Sequence, residues 1–207
     1  MCGNSVRKKI WKMKPRDTDR VVLPRPTELA QKILREVIRN GDQVLDATAG
    51  NGYDTLFLAQ AVGNEGRVIA FDISKAAIDI ARARLVEAGM AQRVTFWHDS
   101  HTNIAERIGD TRIAVAMWNL GYFPGGDRES QTKPASTIVG LDSMARVLKS
   151  GGCCTILCYP GHSGGGDELD AVGEWLEAKS HVGWKVARYE LLWTQNPAPV
   201  LFVVVAN

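Results

Sequence analysis

A chain of 207 residues, 45% of them hydrophobic, is long enough to bury one full α/β core and too short for two comfortable domains. Its formal charge of +2 is unevenly placed: six basic residues, Arg7, Lys8, Lys9, Lys12, Lys14 and Arg16, precede the first acid, Asp17, leaving 19 basic against 23 acidic residues in the remainder, a net of −4. No apolar run reaches the ~20 residues a membrane helix needs, and the N-terminus lacks the apolar centre of a secretory signal, which points to a soluble, cytoplasmic protein with no membrane partner.

Residues 1–22 read as a basic arm and 23–207 as one domain. A cationic arm on a nearly neutral body fits a polyanionic partner, and it equally fits a solvated terminus or a short organelle-targeting segment. Pro24 and Pro26 hold an extended approach, and Thr27 reads as the N-cap of a helix carrying Leu29, Ala30, Ile33, Leu34, Val37 and Ile38 and stopped by Asn40 and Gly41. The first strand, Val44 and Leu45, closes on an acid, Asp46. It turns through Thr48, Ala49, Gly50, Asn51 and Gly52 into a second helix with Leu56, Phe57 and Ala59 at helical spacing. Glycines at such a turn let backbone approach a ligand, and the new helix presents free N–H groups. The spacing D-x-T-x-G-x-G differs from the G-x-G-x-x-G of dinucleotide folds, and no G-x-x-x-x-G-K-[ST] is present.

A second strand, Arg67 to Phe71, closes on another acid, Asp72, about twenty residues after the loop, where a carboxylate can accept hydrogen bonds from both ribose hydroxyls. Ser74 caps a helix bearing Ala77, Ile78, Ala81, Leu85 and Val86, and Gly89 ends it. The third strand, Arg93 to Trp97, runs into His98, Asp99, Ser100 and His101, with a short helix ending near Ile108 that Ser100 or Asp99 caps. The fourth, Ile113 to Trp118, is continuously apolar as a central parallel strand should be, and ends in Asn119, Leu120, Gly121 and Tyr122. A helix from Ser136 to Lys149 and a fifth strand from Cys153 to Tyr159 follow. Next comes the loop Pro160 to Gly166, containing His162, and a helix opening on Asp167 and Glu168, acids that complement its dipole. Strands from Trp184 to Trp193 and from Val200 to Ala206 are antiparallel because the link between them is short.

Cys153 and Cys154 point to opposite faces of their strand, and Cys154 and Cys158 share a face at ~13 Å, so neither pair closes a disulfide. With Cys2 alone at the terminus, the cysteines read as reduced thiols and no metal-ligand spacing is present. The six tryptophans, Trp11, Trp97, Trp118, Trp175, Trp184 and Trp193, read as core or snorkelling residues, with Trp118 and Trp11 the two that could meet nucleic-acid bases.

The Asp46 loop with Asp72 resembles motif I and the ribose-binding acid of class I S-adenosylmethionine-dependent methyltransferases. Asn119-x-x-Tyr122 resembles the [DNS]-P-P-[YFW] motif of amino-group methyltransferases, with Leu120 and Gly121 in place of the prolines. With LDATAGNGYDTLFLA, HDSH, NLGYFPGGD and YPGHSGGGDE taken together, nearly everything from Leu23 onward resembles the small methyltransferase family long labelled putative rRNA methylase. The family often has a histidine where Gln31 stands here.

The resemblance implies a Rossmann-like fold: a seven-stranded, mostly parallel sheet with helices on both faces and a C-terminal antiparallel hairpin. It implies S-adenosylmethionine as cofactor, held by Asp46, Thr48, Gly50, Asn51, Gly52, Asp72, Ile73, Asp99, Ser100 and Asn119. Asp46 would lie near the cofactor's methionine end, and Asp99 would receive the adenine amine. Gly121, Tyr122 and His162 would line the substrate side, Asn119 would orient the target amine, Tyr122 would stack on the base, and His101, His162 or water would take the proton. The implied reaction is N-methylation of wobble 5-aminomethyl-2-thiouridine, with the anticodon region of tRNA as partner and a homodimer left open. Methylation of rRNA or another nucleic-acid base, methylation of a small amine, and a non-catalytic cofactor-binding module are the alternatives.

Overall fold

The computed structural model describes residues 23–121 and 132–207. The basic arm, Cys2, Trp11 and Tyr122 lie outside the described residues.

Helix α1 (Pro26–Val37) starts two positions earlier than a Thr27 cap requires: Arg25 is the N-cap and Pro26 the first helical residue. Proline suits that position because its missing N–H is one the helix leaves unpaired, and the Glu28 carboxylate accepts from the Arg25 N–H at 3.4 Å. The chain continues through β1 (Gln43–Asp46), α2 (Tyr53–Ala61), β2 (Arg67–Asp72), α3 (Lys75–Glu87), β3 (Val94–His98), α4 (Ile104–Ile108), β4 (Ile113–Asn119), α5 (Pro134–Val147), β5 (Leu148–Cys158), α6 (Gly165–His181), β6 (Lys185–Glu190) and β7 (Val200–Val205). The strands form one sheet in the order β3-β2-β1-β4-β5-β7-β6. Strands β1 to β5 run parallel, and β7 is antiparallel to both β5 and β6. The expected seven-stranded, mostly parallel sheet with its terminal hairpin is therefore present.

Two apolar layers cover the sheet. One gathers Phe71, Ile104, Trp118, Leu141, Met144 and Trp175 under α4, α5 and α6; the other gathers Leu34, Leu58, Val62, Leu85, Val115 and Met117 under α1, α2 and α3. The period of two along a strand divides β4 between them: Val115 and Met117 face one layer, Ala116 and Trp118 the other. A register shift between Ile113 and Val115 accounts for the break in alternation at the start of β4. The same alternation puts Cys153 in one layer and Cys154 and Cys158 in the other, all three as free thiols. Burial pushes the Cys153 thiol up to about 11 and the Cys158 thiol up to about 12, so both stay protonated and inert at neutral pH.

Trp118 is a core residue, 1% exposed, and so does not meet a nucleic-acid base. Trp193 departs from expectation in the other direction. Strand β6 stops at Glu190, and Trp193 stands on the link to β7, 97% exposed and with φ 55, a left-handed conformation that bulky residues seldom adopt.

Candidate active site

The loop between β1 and α2 is tied to the ends of both neighbouring strands. Ala47 N–H donates to the Met117 carbonyl at 3.0 Å, Ala49 N–H to the Phe71 carbonyl at 2.8 Å, and Gly50 N–H to the Asp72 carboxylate at 2.7 Å. Gly52, at φ 77, is required twice over: its backbone is left-handed, and a Cβ there would lie 2.7 Å from the Ala81 Cβ of α3. Arg84 of α3 holds the other side of the turn by donating to the Asn51 carbonyl at 2.8 Å.

Above this loop lies a cavity of about 770 Å³, at the carboxyl ends of the parallel strands where ligands of open α/β sheets bind. Thr48, Gly50, Asn51, Asp72, Ile73, Asp99, Ser100, His101, Asn119, Gly121 and His162 line it, bringing most of the sequence candidates to one space. Asp46 and Gly52 do not line it. Asp46 is 1% exposed beneath the loop, accepting from the Thr55 hydroxyl at 2.6 Å and Thr48 N–H at 3.2 Å. Burial, then the neighbouring charge of Asp54, push its carboxyl up to about 7 against the pull of those two hydrogen bonds. It shapes the loop from below; Thr48 carries that constraint upward by accepting the Asn119 N–H on its hydroxyl at 2.8 Å.

Asp72 accepts Ser74 N–H at 2.8 Å on one oxygen and Gly50 N–H on the other. Burial raises its carboxyl, opposed by those two amides and by His98. Asp99 is braced by its own loop, accepting from Ser100 N–H, Asn103 Nδ2 and Arg107 Nε. Partial burial pushes it up, but these donors outweigh that and hold it below the usual carboxylate range. Ser100 does cap the short turn that follows, accepting Thr102 N–H at 3.2 Å.

Asn119, at the end of β4, has its amide nitrogen 3.2 Å from the Asp54 carboxylate. Gly121, at φ 145, brings the chain against Tyr159 and His162: a Cβ there would sit 3.5 Å from the Tyr159 ring and 3.9 Å from His162 Nε2. Burial, then the charge of Asp54, push the Tyr159 hydroxyl up to about 12 despite the Asn119 side chain. Thr132 meets Gly121 again, accepting its N–H at 3.0 Å, and donates to the buried Glu168 carboxylate at 2.9 Å. Glu168, which reads in the sequence as a dipole complement, is thus an internal anchor that also accepts the Thr137 hydroxyl at 2.6 Å.

Asp54 and Tyr159 are two of the wall residues that sequence reasoning passed over. An acid in the first turn of a helix reads as a dipole complement, and a tyrosine at a strand end reads as core. The one available signal for Asp54 was its position two residues after Gly52, in the first turn of the helix that leaves the glycine loop.

His101 is 8% exposed, packed edge-on against Trp118 with ring centroids 5.2 Å apart, and its Nε2 is buried without a protein partner. Burial pushes its pKa down to about 4, against a backbone hydrogen bond with Ser136. The ring is therefore neutral at pH 7 and a weak base, better suited to accepting a hydrogen bond than to carrying off a proton. Between pH 4 and the unperturbed 6.5, the unfolded chain takes up a proton that the folded chain refuses. This contribution to stability is complete above pH 6.5 and is lost as pH falls toward 4. Asp46 acts oppositely over a similar range, so the effect shows in a difference: the stability of the native chain relative to a His101→Leu variant should grow by about 3 kcal/mol from pH 4 to 6.5 and then level off. Urea unfolding across that range checks this, and a pH-independent difference would show that the ring titrates normally.

Among the described residues no helix is long and apolar enough to cross a membrane, and no group of three His, Cys, Asp or Glu is placed to hold a metal.

A family profile described as "Putative rRNA methylase" matches residues 68–205. A chloroplastic tRNA (mnm(5)s(2)U34)-methyltransferase of Arabidopsis thaliana is 34% identical over 184 residues, 84% of this chain and 67% of that protein. A "putative rRNA-methylase" structure from Clostridium thermocellum shares 33% identity at a TM-score of 0.85, over 89% of this chain and 99% of that one. A "putative methyltransferase" from Streptococcus mutans in complex with SAH shares 30% identity at a TM-score of 0.79, over the same shares of the two chains.

Proposed function

This chain belongs to the family described as "Putative rRNA methylase", and from that membership we propose that it methylates the exocyclic amine of wobble 5-aminomethyl-2-thiouridine in tRNA, giving 5-methylaminomethyl-2-thiouridine. The observation that carries this reading is the Asn119 corner. A carboxylate accepts hydrogen bonds, so the group facing Asp54 is the Asn119 NH₂, and the carboxamide oxygen, with two lone pairs, keeps capacity for an N–H from an amine beside the Tyr159 contact.

The residues present fit S-adenosylmethionine as methyl donor. Each Asp72 oxygen accepts one backbone N–H and keeps capacity for a ribose hydroxyl. A side chain on Gly50 would meet only the Thr48 carbonyl at 3.9 Å, so the loop backbone is open to close approach. His101 Nε2, buried on the cavity wall without a protein partner, supplies an unclaimed polar atom beside Asp99 and Ser100. Asp72, Ile73, Asp99 and Ser100 would hold the adenosine, with Thr48, Gly50 and Asn51 at the other end. When bound, this cofactor supplies a methyl group on a positively charged sulfur.

The protein's own task is placement. An alkyl amine has a pKa near ~10 and is mostly protonated at neutral pH, so it must lose a proton before its lone pair can attack. Removal from water within the cavity lowers that pKa. Asn119 accepts one N–H and aims the lone pair, which is where most of the acceleration arises. The released proton passes to His162 or water, while the neutral, weakly basic His101 serves as a hydrogen-bond acceptor.

A tRNA substrate also gives the exposed indole of Trp193 a purpose. The link it stands on leaves the sheet where Val200 pairs with Cys158, at the cavity end of β5, and Pro197 of the same link lines the cavity. A base stacked on an aromatic side chain contributes about 1–3 kcal/mol, so Trp193→Ala should raise KM for tRNA about tenfold. It should leave SAH affinity and saturated turnover near the native values. An unchanged KM would remove Trp193 from the RNA path.

The family's description favours a second reading, an rRNA base. Mass spectrometry of nucleosides from cells with and without this gene separates the two. Loss of 5-methylaminomethyl-2-thiouridine with accumulation of its unmethylated precursor is the expected result. Intact wobble nucleosides together with a missing methylated rRNA nucleoside would overturn it.

A further inference from the structure

We infer that Asp54 is a positioning residue for methyl transfer, fixing which end of the Asn119 carboxamide faces the acceptor amine. The inference rests on the role of Asn119 given above. Asp54 is the second residue of α2 and stands on the cavity wall. One of its oxygens accepts from Gln31 Nε2 at 2.8 Å and the other from Asn119 Nδ2 at 3.2 Å. Three elements distant in sequence, α1, α2 and the end of β4, thus meet in one chain of side-chain hydrogen bonds that ends at the reacting corner.

The physical need for such a chain comes from the carboxamide itself. Its two ends are nearly the same size, so packing discriminates poorly between the amide and its flipped form, and the neighbours' hydrogen-bonding character decides. A flipped Asn119 would present NH₂ to the amine. That NH₂ would donate to the lone pair the reaction needs and would offer no acceptor for the amine's own N–H. The Tyr159 hydroxyl, which also meets the Asn119 side chain, can donate or accept and so permits either form; the Asp54 carboxylate takes Asn119 Nδ2 at 3.2 Å as an acceptor and so excludes the flip. Gln31 in turn holds the carboxylate from the outer side, so its orientation does not depend on Asn119 alone.

This arrangement permits a test by exchange. In Asp54→Asn the new amide can donate or accept, Asn119 loses its fixed orientation, and the single-turnover rate should fall about 30- to 100-fold. SAH affinity and melting temperature should stay close to native. An aspartate at 119 carries oxygen at both ends and needs no orienting, so the double variant Asp54→Asn with Asn119→Asp should recover at least tenfold of the lost rate. Gln31→Leu, which removes only the outer support, should slow the step a few-fold and serves if Asp54→Asn folds poorly.

A native rate in Asp54→Asn overturns the inference, and so does a slow Asp54→Asn whose rate the exchange fails to restore while SAH binding is intact. Asn119→Ala separates this from the larger reading. If that variant transfers methyl normally, the Asn119 role itself falls; if it is slow while Asp54→Asn is not, only the orienting role of Asp54 falls.

Discussion

Asn119→Ala is expected to slow methyl transfer about 100- to 1,000-fold, with SAH affinity within a few-fold of native. The split between the two effects follows from how Asn119 is held. Its backbone N–H is taken by the Thr48 hydroxyl at 2.8 Å, and its strand is locked by register with β1 and β5, so the main chain stays in place when the side chain is removed. What disappears is the carboxamide oxygen proposed above to orient the amine. Turnover should fall at saturating cofactor and RNA, whereas the calorimetric titration of SAH should hardly change. A variant that instead lost cofactor binding and kept its rate once saturated would move Asn119 from the acceptor side to the cofactor side.

Asp72→Ala should show the reverse pattern, losing about 100-fold in SAH affinity. Two hydrogen bonds from ribose hydroxyls to an ionised acceptor are worth about 1.5 kcal/mol each, and ~3 kcal/mol corresponds to that factor. A further loss comes from the loop, since the same carboxylate receives Gly50 N–H at 2.7 Å and Ser74 N–H at 2.8 Å. Asp72→Asn keeps one acceptor oxygen and should fall between the two. Equal affinities for Asp72→Ala and the native chain would place the ribose elsewhere in the cavity.

The sheet was legible because its strands announce themselves. The continuous apolar run ending in Trp118 and the acids Asp46 and Asp72 closing two others mark central parallel strands and their ligand-facing ends. The glycine turn was legible for a related reason, since Gly50 and Gly52 both hold positive φ that other residues resist. What stayed hidden depends on partners far away in sequence. His101 becomes a buried, weakly basic ring only because Trp118 and Gly140 close on it from β4 and α5. Asp54 acquires its place from Gln31 and Asn119, 23 and 65 positions away, and no local pattern signals such a meeting. Asp46 is expected from its place in the motif to hold the cofactor near its methionine end, but the chain turns its carboxylate down onto Thr55. Trp193 reads as a core or snorkelling residue because tryptophan usually is, yet it stands exposed on the link between β6 and β7.

The most direct test combines purified protein, S-adenosylmethionine labelled in its methyl group, and tRNA from cells lacking this gene, followed by nucleoside mass spectrometry. Label should appear on 5-methylaminomethyl-2-thiouridine, at a rate that collapses in Asn119→Ala. Label entering rRNA and leaving that tRNA untouched, or reaching the wobble nucleoside equally fast without the Asn119 side chain, would contradict it.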